Sequence, residues 1–214
     1  MGTGGATART AIAAWLATGV LLAAGSGGVA VAPSGACVGR TLFVGYCDAP
    51  EQVMAAQILS VFIDERTGTT VKMTRFGSRA EAFEAIRKDK VSLYADYSEI
   101  VLERFGGEAP GRDHEKNIAR LKEVLNAKHN VIWLEAFGFD GAFSAVPAKR
   151  GTGAGMDGVM LCKDALSKFP ALPKLLGKLR GVLDNGTMAG LLREAKESDP
   201  RTVARRFLKS RKLI

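Results

Sequence analysis

From Thr41 to Leu134 the chain switches repeatedly between short apolar runs and longer segments whose apolar residues recur at helical spacing. That alternation restricts the fold more than any other feature, because strands separated by helices are joined by crossovers and so tend to pair in parallel. Thr41 to Tyr46 reads as a buried strand. Asp48 followed by Glu51, with Pro50 between them, predicts a capped helix to about Arg66 that buries Met54, Ile58, Val61 and Phe62 and stops at Gly68. Thr69 to Phe76 alternates as a second strand. Ser78 and Glu81 repeat the capping box ahead of Ala82, Phe83 and Ile86.

A third strand, Val91 to Tyr94, runs into Asp96 and Glu99, which are spaced as another helix start; that helix ends at Gly106 and Gly107. A longer helix from about Arg112 to Ala127 and a fourth strand over Val131 to Leu134 follow. The expected class is α/β, a mostly parallel sheet flanked by helices. Ala142 to Pro147 predicts one more strand, residues 148–158 a Gly-rich linker, and residues 159–214 a helical C-terminus. In the last helix, Val203, Phe207 and Leu208 share one face, and Arg201, Arg205, Lys209 and Lys212 the other.

Residues 1–36 hold no acid and one base, Arg9, followed by a 14-residue apolar run from Ala11 to Ala24. This is the layout of a signal peptide, too short for the ~20 apolar residues of a spanning helix. Ser34 to Cys37 is similar to a bacterial lipobox, with Ser34 where that pattern has a large aliphatic residue; on that resemblance Cys37 would be the lipidated first residue. Periplasmic or otherwise extracytoplasmic placement is expected, with Cys37 as a candidate lipid anchor and Cys47 and Cys162 as a candidate disulfide. Basic character is concentrated late: residues 148–214 carry 15 Lys and Arg against 6 Asp and Glu. Anionic membrane surfaces or acidic proteins are the partners such a segment suits, and nucleic acid does not fit the compartment.

Three collinear blocks resemble the substrate-binding proteins of ABC importers for glycine betaine, choline and carnitine. They are LFVGYCDAPEQVMAAQIL (42–59), VSLYADYSEIVLERFG (91–106) and the tail from Leu166 to Ile214 with its DPRTVARRFL. Between them, NVIWLEAFGFDGAFSAV (130–146) is similar to the family segment that crosses into a second lobe. The resemblance implies a periplasmic-binding-protein-like lobe over 37–147, permease subunits as partners, no cofactor and no enzymatic activity. It also exposes a departure. A lobe needs at least ~50 residues, and the Gly-rich stretch after Pro147 leaves no room for one, so most of the second lobe is expected to be missing.

A trimethylammonium group has no hydrogen to donate, so aromatic faces must hold it, each contributing ~0.5 to 2 kcal/mol. By resemblance, Tyr97 matches the box tyrosine and Phe143 the aromatic of the crossing segment; Tyr94 and Tyr46 are further candidates, with Glu51 and Asp140 as polar ones. Cys47 stands where many members have a lysine that meets the ligand carboxylate. Tyr94 also suits core packing, as inward strand aromatics do, whereas Tyr97 lies just past a strand end, where α/β ligand sites gather. Two functions follow as expectations: an exported solute receptor for quaternary ammonium osmolytes, or a one-lobed accessory module that keeps the fold without the binding.

Overall fold

The computed structural model describes residues 40–140 and 155–214. Five strands form one sheet in the order β2-β1-β3-β5-β4. They are β1 (Leu42–Tyr46), β2 (Val71–Arg75), β3 (Leu93–Asp96), β4 (Val131–Asp140) and β5 (Gly155–Cys162). The helices are α1 (Pro50–Thr67), α2 (Arg79–Arg87), α3 (Ser98–Val101), α4 (His114–His129), α5 (Lys163–Lys168), α6 (Leu172–Leu176), α7 (Asn185–Glu194) and α8 (Pro200–Ser210). The first crossovers give the parallel pairs β1–β2 and β1–β3 as the alternation requires, but β5 enters between β3 and β4 antiparallel to both. The α/β class holds, and the sheet is mixed, half of its pairings parallel.

β5 corrects both the linker expected at 148–158 and the start of the helical tail expected from 159, since residues 155–158 and 159–162 stand in it. Only one of its residues, Val159, is β-branched, and it opens on glycine, so little in its own sequence marks a strand. It is a strand because it satisfies the backbone groups of two neighbours at once. Gly158 permits this: a Cβ there would lie 2.3 Å from the Trp133 ring of β4. β4 itself runs six residues past the expected end, with a register irregularity between Glu135 and Phe139. The strand expected over Ala142 to Pro147 lies outside the described residues.

The helix starts follow the sequence unevenly. Ser78 caps α2 as expected, accepting from the Glu81 N–H at 3.2 Å, while the Glu81 carboxylate accepts from the Gly77 N–H at 3.1 Å. The other two boxes are corrected. Ala49 is the N-cap of α1 without a side-chain bond; Asp48 instead pairs with Arg75 at the end of β2, and Glu51 is buried. Tyr97 is the N-cap of α3, and Asp96 is drawn into an ion pair with Arg79. α3 then widens into a π-turn over Leu102–Gly106, closed by Gly107 in the left-handed conformation.

α1 packs on β1, β2 and β3 and also against α7 and α8. Burial from several directions explains why 11 of its 18 residues are inaccessible rather than one stripe. α8 meets it with Val203, Ala204, Phe207 and Leu208 buried. The arginines beside that face are partnered: Arg201 donates to Asp64 at 2.9 Å and to Ser60 Oγ at 3.1 Å, and Arg205 to Glu65 at 2.9 Å. The candidate disulfide is also corrected. Cys47 follows β1, and Cys162 ends a strand antiparallel to β1's neighbour, so the two free thiols lie toward opposite ends of the sheet.

Gly158→Ala should lower the unfolding free energy by about 2 to 3 kcal/mol through overpacking against Trp133. Gly190→Ala in α7, where nothing lies within 4 Å of the new methyl, should be neutral or raise it by about 0.5 to 1 kcal/mol. Urea denaturation of both variants measures the contrast.

Candidate solute site at the ends of β1 and β3

β1 and β3 are parallel neighbours, so their C-terminal ends lie together, and α1 and α3 begin there. Open α/β sheets gather ligands at this end because the loops diverge and helix N-termini converge. Here the residues delivered are Cys47 just after β1, Glu51 and Gln52 from the first turn of α1, Tyr94 and Asp96 from β3, Tyr97 from the start of α3, and Arg79 from the first residue of α2.

They form one hydrogen-bonded network. Gln52 Nε2 donates to Tyr94 Oη at 3.0 Å, and Tyr94 Oη donates to Asp96 Oδ2 at 3.1 Å. Asp96 Oδ1 also accepts from the Tyr97 N–H at 2.9 Å and from Arg79 Nε at 3.0 Å. Tyr97 Oη donates to Glu51 Oε1 at 3.3 Å, and Cys47 Sγ lies 3.6 Å from Tyr94 Oη. Asp96, Tyr94 and Tyr97 are each 0% exposed. Low polarity around these groups raises the pKa of Glu51, Cys47 and both tyrosines, since burial penalises their charged forms. Burial also opposes the charge on Arg79, but the adjoining Asp96 outweighs it and holds the guanidinium protonated.

A raised Cys47 thiol is a poor nucleophile at neutral pH, and the site has the makings of recognition: aromatic faces, a buried carboxylate, a cation and amide groups. Of the residues singled out in the sequence, Tyr94, Tyr97 and Glu51 come together here. Tyr46, half-buried, ends β1 one residue before Cys47. Asp140 closes β4 opposite Gly155 in register. Phe143 and Cys37 lie outside the described residues. Sequence reasoning missed Arg79, Gln52 and the true role of Asp96. The signal available for Asp96 was its place at the very end of an apolar strand, where a cap and a buried counter-charge look alike.

A mixed sheet in this strand order, with polar and aromatic groups at the ends of β1 and β3, is a lobe of the periplasmic-binding-protein type. The family model for the substrate binding domain of the ABC-type glycine betaine transport system matches residues 40–150. The chain belongs to that family, whose members bind solutes for ABC transporters and are not enzymes. Its fold is similar to that of a glycine betaine/carnitine/choline ABC transporter crystal structure, with a TM-score of 0.72 at 14% identity over 80% of this chain and 99% of that one. Apo YehZ from Escherichia coli gives 0.65 at 11% identity over 82% and 100%, respectively. The closed-liganded form of lactococcal OpuAC with glycine betaine gives 0.52 at 11% over 81% and 97%. No curated protein matches in sequence. Only residues 141–154 separate β4 from β5, against the ~50 a lobe needs, so most of a second lobe is missing from the chain.

Asp96→Asn should cost about 3 to 5 kcal/mol in unfolding free energy, because it strands the Arg79 cation in a largely buried place. Glu51 gives a pH test. Its folded pKa is raised above the ordinary 4.5, so the folded state holds its proton longer than the unfolded chain, and stability falls as pH rises above 4.5. Glu51→Gln should flatten that fall, and an unfolding series across acidic to neutral pH compares the slopes.

Proposed function

We propose that this protein is the exported solute-binding component of an ABC importer for quaternary ammonium osmolytes of the glycine betaine and choline type. The family match over residues 40–150 carries the reading. In this reading residues 1–36 are the export signal, Cys37 is the lipid-anchored first residue, and permease subunits are the partners. Residues 37–147 form the lobe, and the C-terminal third, with its basic excess, faces the membrane surface. The solute sits where β1 and β3 end, against Tyr97, with Tyr94 and Tyr46 alongside and Phe143, Glu51 and Asp140 completing the grip.

A second reading is favoured by one observation: Tyr94 and Tyr97 have no exposed surface, so neither face is open to a solute in this conformation. On that reading the chain is an accessory module that keeps the receptor's fold without its cage. Isothermal calorimetry with glycine betaine, choline and carnitine at millimolar concentration separates the two. The receptor reading expects heat with at least one of them, abolished by Tyr97→Ala and largely kept by Tyr97→Phe, because the π face survives the loss of the hydroxyl. Silence with all three, on folded protein, selects the accessory module.

A further inference from the structure

Tyr97 already has a cation against its face. The Arg79 guanidinium carbon lies 5.9 Å from the Tyr97 ring centroid, within the ~6 Å at which an aromatic quadrupole attracts a cation. The same guanidinium neutralises Asp96, and the two side chains are 14% and 0% exposed. An aromatic face beside a buried carboxylate is also the environment that suits a quaternary ammonium, which needs negative potential and offers no hydrogen bond.

The hold on Arg79 is incomplete. Nε alone serves both Asp96 oxygens, at 3.0 and 3.2 Å, whereas a locked arginine fork engages two nitrogens in parallel. Nη2 is buried and has no hydrogen-bond partner, a desolvated donor that works against the closed arrangement. Asp96 is better provided, since the Tyr94 hydroxyl and the Tyr97 N–H bond it independently of Arg79. If the guanidinium left, the carboxylate would stay in place and lack only positive charge.

We infer that Arg79 is a resident cation, occupying the place against Tyr97 and Asp96 that a quaternary ammonium solute takes, so that solute binds by exchanging with the guanidinium. The inference rests on the receptor reading above and adds its control. Exchange swaps one positive charge for another, so Asp96 stays compensated, and it releases the unpartnered Nη2 donor to water. An intramolecular competitor acts at high effective concentration and weakens the apparent affinity by the fraction of time the place is free. Arg79, rather than the number of aromatic residues, then sets the affinity threshold.

The test titrates tetramethylammonium chloride, against sodium chloride at equal ionic strength, into the wild-type chain and the variants Arg79→Ala and Arg79→Lys. Calorimetry and the thermal midpoint are the readouts. Arg79→Ala should bind at least about tenfold tighter than wild type, while Arg79→Lys, which keeps a cation on the same stem, should not gain. Should Arg79→Ala fail to fold, Arg79→Met keeps most of the side chain's packing volume and leaves Asp96 in place while removing the guanidinium; it too should bind tighter than wild type. A folded variant without Arg79 that binds no tighter than wild type overturns the inference. If wild type binds glycine betaine in that case, the receptor reading stands alone. If neither wild type nor variant binds any quaternary ammonium, both fall. A gain in the variant with a silent wild type overturns exchange in the native chain and places it with the accessory module.

Discussion

The carboxylate of Asp96, without exposed surface at the end of the central strand, is the constraint around which the surrounding elements are arranged. A buried ion costs several kcal/mol in lost hydration unless donors converge on it. The donors arrive from three directions: Arg79 opens α2, the Tyr97 N–H opens α3, and Tyr94 on β3 itself is held by Gln52 from α1. One charge therefore sets where three helices begin relative to the sheet. It also explains why the tyrosines that look like cage walls are committed to internal bonds in this conformation.

The sheet imposes a second constraint. β3 would present an open edge of N–H and C=O groups to the protein interior if its far side were uncovered, and β5 covers it while also pairing β4. β4 ends at Asp140 and β5 begins at Gly155, with only residues 141–154 between them where a second lobe needs at least ~50. Closing the sheet does not require that lobe, so the first lobe keeps its architecture while its complement is lost.

α1, α2, α4 and β1 to β3 could be read directly from periodicity and glycine stops, because those signals are local and the residues between Thr41 and Ala127 agree with them at nearly every level. β5 could not. Its glycine-rich start reads as a loop, and only pairing on both sides makes it a strand. The capping boxes show the same limit in single residues: Ser78 behaves as its spacing says, whereas Asp48 and Asp96 satisfy the same pattern and are claimed by arginines 27 and 17 residues away along the chain. Local spacing cannot weigh a bond to a backbone N–H against a charge-assisted bond to a distant guanidinium, and the stronger partner prevails.

By itself, then, the amino-acid sequence determined the class of domain, the family and the three residues Glu51, Tyr94 and Tyr97 that meet at the end of the sheet, because each rests on short-range pattern or on motif order. Only the tertiary structure decided that β5 completes the sheet, that Cys47 and Cys162 lie too far apart to bond, and that Arg79 stands over Tyr97. Those depend on which distant segments share a neighbourhood, and pairing partners and buried charges are chosen there rather than along the chain.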